Sequence, residues 1–277
     1  MNRNIICFCA VGIFALGVPL CAQQTPVEKS TKLAKKDYRI EEEKDRNGHR
    51  TKVNLISPDG RVLKSFSPND VTTAKSGRYL LHQSAYRAQE DNGYLEKEKT
   101  LYSIRGEKKW TRTYRSYPAS WDPEVGDPSW GSEGISDDGD RCYFNWRDEE
   151  GNYCVGVYDV AGKELAKACR PNAIYKVEIS PDGKLVGAET YLAEGDKNIK
   201  HILFLEVGTG KTRLVKAEGE GWQGGFLLSS GGPLLPGKIL LWLENNNNPN
   251  SYSRVYVGFS SLSDSLVRLF QNKGEGK

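Results

Sequence analysis

The chain of 277 residues balances 39 Lys and Arg against 36 Asp and Glu, a formal charge of +3, and 38% of its residues are hydrophobic. That balance alone argues neither for nor against nucleic acid, and the basic residues are dispersed. Six cysteines in a chain of this length exclude a small disulfide-held scaffold, because a full core can form without them.

At the N-terminus, Arg3 precedes an apolar run from Ile5 to Leu20, and "PLCAQQ" follows. This predicts a secretory signal peptide over 1–22, cleaved after Ala22. The run is shorter than the roughly 20 apolar residues of a spanning helix. No later segment is long and apolar enough to span a bilayer, so the expected mature chain is extracytoplasmic, periplasmic or secreted, with no transmembrane segment. Cys7, Cys9 and Cys21 leave with the leader, and Cys142, Cys154 and Cys169 remain. Residues 23–36 read as a polar arm. Its cluster "KSTKLAKKD" is a solvated run rather than a nucleic-acid patch.

From residue 37 the chain repeats. "VNLISPDGRVLKSF", "TLYSIRGEKKWTRTY", "VYDVAGKELAKA" and "LFLEVGTGKTRLVKA" align with Gly60, Gly106, Gly162 and Gly210 in one place. "VYVGFSSLSDSLVRLF" is a degenerate fifth copy, with Asp264 near the glycine position. Each copy alternates in hydrophobicity on both sides of a tight turn, the pattern of a β-hairpin whose glycine supplies positive φ. A second hairpin, turning at Gly77, Gly139, Gly183 and Gly237, precedes each of the last four copies. The first unit has only the Asn47-Gly48 hairpin before Gly60, so three strands are expected there and four elsewhere. The prediction is an all-β fold of five antiparallel meander units over 37–272, the first incomplete, and a C-terminal tail over 273–277.

The entry "ISPDGK" into an apolar strand, with hairpins turning on "VGTGK" or "VAGK", resembles the blades of TolB-like and WD-repeat-like β-propellers. The resemblance spans nearly all of the predicted mature chain and implies a β-propeller of four-stranded blades. It departs from WD repeats proper in lacking a strand-ending Trp-Asp pair and a regular Gly-His pair. Closure into a small ring is expected, since an open array leaves strand edges exposed. These folds host many activities, so function must come from a site.

"EVGTGKT" at 206–212 looks like the end of a phosphate-binding loop. A Walker A loop places a glycine where this chain has Leu205, and it continues as a helix, whereas "TRLVKA" alternates like a strand. No nucleotide and no other cofactor is expected. "SDDGD" at 136–140 offers Asp137, Asp138 and Asp140, but it fits neither an EF-hand nor an Asp-box, and reads as a repeat turn. His49, His82 and His201 are scattered, so no metal site is predicted. "WGSEG" around Ser132 lacks the first glycine of a nucleophile elbow.

In a meander the first and third turns of each unit share one face. The second turn and the link to the next unit share the other. The long segments 86–99, 115–134, 217–232 and 244–252 all read as loops of that second face, where binding residues gather. The candidate ligand-binding residues are Tyr117, Trp121, Asp122, Trp130, Glu133 and Trp222. Aromatic faces beside carboxylates suit sugar rings or basic peptide side chains. Equally, the tryptophans can plug a channel mouth or pack between blades. No catalytic residue is assigned. The expected function is a non-enzymatic scaffold for a protein or peptide. The alternative is a propeller that binds or hydrolyses carbohydrate through the 115–134 loop, with paired carboxylates.

Cys154 and Cys169 fall on the two strands of one predicted hairpin. With a two-residue turn at Ala161-Gly162, opposed positions add to 323 and the cysteines face one another. With a three-residue turn ending in Gly162 they add to 322, and the cysteines point to opposite sides. The glycine position fits the longer turn better, so free thiols are expected.

Overall fold

The computed structural model describes residues 37–89, 94–116, 133–194, 197–217, 222–227, 235–245 and 248–262. Strands dominate them, in five antiparallel meander sheets that follow chain order. Sheet A holds β1 (Arg39–Lys44), β2 (Arg50–Ile56) and β3 (Val62–Phe66). Sheet B holds β4 (Val71–Thr73), β5 (Tyr79–Gln89), β6 (Tyr94–Ser103) and β7 (Lys108–Ser116). Sheet C holds β8 (Glu133–Ile135), β9 (Arg141–Arg147), β10 (Tyr153–Asp159) and β11 (Glu164–Arg170). Sheet D holds β12 (Ile174–Ile179), β13 (Leu185–Glu194), β14 (Lys197–Glu206) and β15 (Thr212–Lys216). Sheet E holds β16 (Trp222–Leu227), β17 (Lys238–Asn245) and β18 (Asn248–Gly258). Asp264 and the expected last strand of sheet E lie outside the described residues.

The turn glycines do what the repeat pattern required. Gly48, Gly60, Gly77, Gly106, Gly139, Gly162, Gly183, Gly210 and Gly237 all have φ between 65° and 86°, a region closed to most side chains. In the Ser-x-Asp-Gly turns the serine hydroxyl ties the loop. Ser180 Oγ donates to Asp182 and accepts from the Lys184 amide at 3.1 Å, and Ser136 does the same with Asp138 and the Arg141 amide. "SDDGD" is this repeat turn. Its other two carboxylates meet Lys75 at 3.2 Å (Asp137) and Arg78 at 3.0 Å (Asp140).

Apolar strand faces meet between consecutive sheets. Val53 and Leu55 of sheet A pack with Val71 and Leu80 of sheet B. Leu81, Leu101 and Trp110 of B pack with Cys142, Phe144 and Tyr158 of C. Val155 and Val157 of C pack with Ile174, Val186 and Leu203 of D, and Ile202 and Phe204 of D with Ile239 and Val257 of E. Because side chains alternate along a strand, one strand serves two interfaces: Leu203 faces C and Ile202 faces E. The first strands β4, β8, β12 and β16 touch in sequence. This is the blade arrangement of a β-propeller.

Polar bonds join the turns of neighbouring sheets on one face. The Ser76 amide donates to the Asp137 carbonyl at 2.9 Å, the Asp137 amide to the Pro181 carbonyl at 3.0 Å, and the Gly237 amide to the Asp182 carboxylate at 2.8 Å. First and third turns share this face, as the meander demands. The Ile104 amide bonds the Arg78 carbonyl, and the Val207 amide the Lys184 carbonyl.

Three of the four segments expected as long loops are different. The polar stretch 86–99 continues β5 to Gln89 and resumes as β6 at Tyr94, and 244–252 is the close approach of β17 and β18, pairing Asn245 with Asn248. The segment 217–232 contains β16. Strand pairing satisfies backbone groups whatever the side chains, so long polar strands carry no apolar alternation to announce them.

The cysteine expectation is also corrected. Cys154 lies directly opposite Cys169, with Cα atoms 4.0 Å apart, and the two form a disulfide. Near the turn the pairing is Tyr158 with Glu164, which fits the longer turn. A bulge between Val157 and Tyr158 then moves every pair beyond it by one. The turn type was read correctly, and the bulge reversed its consequence. Cys142 is free and buried.

Candidate functional site

The face opposite the joined turns carries the second-turn hairpins and the links between sheets. On it β5–β6, β13–β14 and β17–β18 close only at 89–94, 194–197 and 245–248. The link that follows β7 lies largely outside the described residues, and with it Tyr117, Trp121, Asp122 and Trp130. Glu133 ends that link and opens β8, paired with Phe144 of β9. Trp222 opens β16, opposite Asn245.

Glu133 is placed by an ion pair between sheets. Its side chain is 14% exposed and its carboxylate touches the Lys99 ammonium of β6, which is 1% exposed. Lys99 also donates to the Gln83 amide oxygen across β5. Burial first, then the charge of Lys97, lowers the Lys99 ammonium to about 7, with Asp70 opposing. The Glu133 contact works against that lowering, because an adjacent carboxylate favours the ammonium. A second buried pair, Lys200 with Glu189 at 3.3 Å, sits in sheet D. The sequence did not reveal these lysines. "YLEKEKTLYS" places four charged residues in a row, Glu96 to Lys99, and a charged strand position reads as solvated until a neighbouring sheet covers it.

Aromatic side chains fill the B–C interface rather than a cleft. Tyr114 stacks on Phe144 at 5.0 Å and Phe144 on Tyr158 at 4.9 Å, with Trp146 tilted against both Tyr114 and Phe144. Trp110 lies 6.2 Å from Tyr158. His82 is half-buried against Phe66, and its pKa is lowered, first by desolvation.

Two further features take structural roles. The Gly208-Thr209-Gly210-Lys211 stretch is the β14–β15 turn. The Gly210 amide bonds the Glu206 carbonyl at 2.8 Å, and the strand β15, not a helix, follows. Asp148 lies 3.6 Å from Cys154 Sγ, but sulfurs bonded to each other are not thiolate ligands for a metal.

The array is thus a β-propeller scaffold with no helix among the described residues long and apolar enough to cross a membrane. No family model matches the chain, and no curated protein matches it. Among solved structures it is similar to the β-propeller domain of the trilobed protease from Pyrococcus furiosus, described as having an open velcro topology. The identity is 10% and the TM-score 0.45, over 82% of this chain and 72% of that one. It is similar to a eukaryotic initiation factor at 11% identity and TM-score 0.42, over 75% of this chain and 46% of that one. It is also similar to a prolyl endopeptidase at 12% identity and TM-score 0.40, over 82% and 38%. This chain therefore spans under half of the last two.

Proposed function

We propose that the protein is an extracytoplasmic, non-enzymatic scaffold that binds a protein or peptide through the face built by its second-turn hairpins and sheet links. One observation carries the reading. The β5–β6, β13–β14 and β17–β18 hairpins all close on the side where the β7–β8 link emerges, so a rigid five-sheet core presents several arms in one direction. The apolar run Ile5–Leu20 and the Cys154–Cys169 bond both suit an oxidising compartment outside the cytoplasm.

The test is a pull-down from an envelope extract with the mature chain, beside a variant carrying Trp121→Ala and Trp130→Ala. A partner retained by the wild type and lost by the variant is the expected result. Absence of any retained partner counts against the reading. A glycan-array signal lost in the same variant would replace the protein partner with a carbohydrate.

A further inference from the structure

The other face carries a separate feature. Between sheets D and E a cleft of about 450 Å³ opens among the first and third turns. Lys184, Leu185, Val207 and Thr209 form one wall, and Pro236, Lys238 and Phe259 the other. A second depression of about 340 Å³ shares Phe259 and Ser260 with it and extends past Lys211 and Arg213, so the two form one elongated groove.

Charge around this groove is predominantly positive, with Glu206 the acidic residue in its lining. Arg141, Lys184, Lys211, Arg213 and Lys238 line it. Lys184 is matched by Asp182 at 3.4 Å, and the Glu206 carboxylate is held by the Thr209 hydroxyl. Arg141 spends one guanidinium nitrogen on the Asp182 carbonyl at 2.6 Å, while its buried Nε has no hydrogen-bond partner. Arg213 donates to the Leu262 carbonyl and lies over the Phe259 ring. Among the described residues, Arg141, Lys211, Arg213 and Lys238 therefore have no carboxylate partner. Lys211 and Lys238 lie at the exposed rim.

We infer that this groove binds an extended acidic peptide. Leu185, Val207, Pro236 and Phe259 on its walls suit apolar side chains between the acids, and the cations are divided between the two adjoining depressions, Arg141, Lys184 and Lys238 in one and Lys211 and Arg213 in the other. A phosphate cradle would instead draw on free backbone amides of the lining turns, and four of these are already engaged. The Gly210 amide bonds Glu206, the Lys211 amide Thr209, the Gly237 amide Asp182 and the Gly258 amide Ser261. The inference is independent of the proposal for the opposite face.

The test uses fluorescence anisotropy with a short labelled peptide of alternating Glu and Leu, and a Lys-Leu peptide of equal length. The acidic peptide is expected to bind and the basic one not, with affinity falling as NaCl rises. Lys211→Glu with Lys238→Glu should weaken binding on the order of tenfold, with an unchanged thermal melt. Lys52→Glu on sheet A should leave binding unchanged. The milder Lys211→Ala with Lys238→Ala, which adds no new charge, should lose a smaller share. Equal affinity in both double variants, equal binding of the basic peptide, or displacement by inorganic phosphate or ATP as readily as by unlabelled acidic peptide would each overturn the inference.

Discussion

Gly162 of the β10–β11 turn sits directly against Trp110 of β7. A Cβ at Gly162 would come within 2.9 Å of the indole Cγ, and the residue has φ +81°. The neighbouring Asp159 carbonyl accepts the indole N–H at 3.1 Å, and the Gly162 carbonyl accepts from Arg112 at 2.6 Å. One turn of sheet C thus docks on the outer strand of sheet B. Gly162→Ala is expected to cost roughly 2–5 kcal/mol, since left-handed strain adds to overpacking. Gly48 has a similar φ, but its Cβ would meet nothing within 4 Å. Gly48→Ala should lose only the strain, about 1–2 kcal/mol. Urea midpoints of the two variants check the ordering, and equal losses would contradict the docking contact.

The Lys99–Glu133 pair predicts a non-additive cycle. Lys99→Met strands a largely buried carboxylate, and is expected to cost about 3–5 kcal/mol. Adding Glu133→Leu removes the stranded charge, so the double variant should be more stable than Lys99→Met alone, with a coupling of about 0.5–3 kcal/mol. Additive losses in chemical denaturation would show that the two side chains act separately.

The disulfide predicts a mass and a stability. Unreduced protein should lack the mass of two hydrogens and gain it on reduction. Cys169→Ser should lose about 3 kcal/mol, the entropy of a loop closed over a sequence separation of 15. Cys142 should resist alkylation until the protein unfolds, because burial pushes its thiol up and keeps it protonated.

Asp182 predicts an acid-range effect. Burial pushes its carboxyl upward, but hydrogen bonds from the Gly237 amide, the Ser180 hydroxyl and the Lys184 amide outweigh it and hold the pKa below 3.8. The unfolded chain therefore binds the proton first. The stabilisation is complete well above pH 3.8 and is lost as pH falls through the lower folded value. Asp182→Asn should be less stable than wild type at neutral pH, with the gap narrowing in acid. Urea melts across the acid range measure it, and a gap that widened on acidification would reverse the sign.

Local rules were enough for much of the fold. The glycine that each tight turn needs, and the strand alternation on both sides of it, are properties of a few adjacent residues. They marked five meander units, the three-strand first sheet and the face on which each turn lies. They also separated the Gly210 turn from a phosphate loop, because "TRLVKA" carries a strand period. The tertiary structure decided what depends on neighbours distant in the chain. A single bulge brought Cys154 opposite Cys169. The covering sheet turned Lys99 from a surface charge into a buried ion pair with Glu133. Polar strands such as β6 hid their length, since backbone pairing, not side-chain hydrophobicity, holds them. The basic groove between sheets D and E draws on turns from Arg141 to Ser260, and only packing of the sheets sets those side chains around one opening.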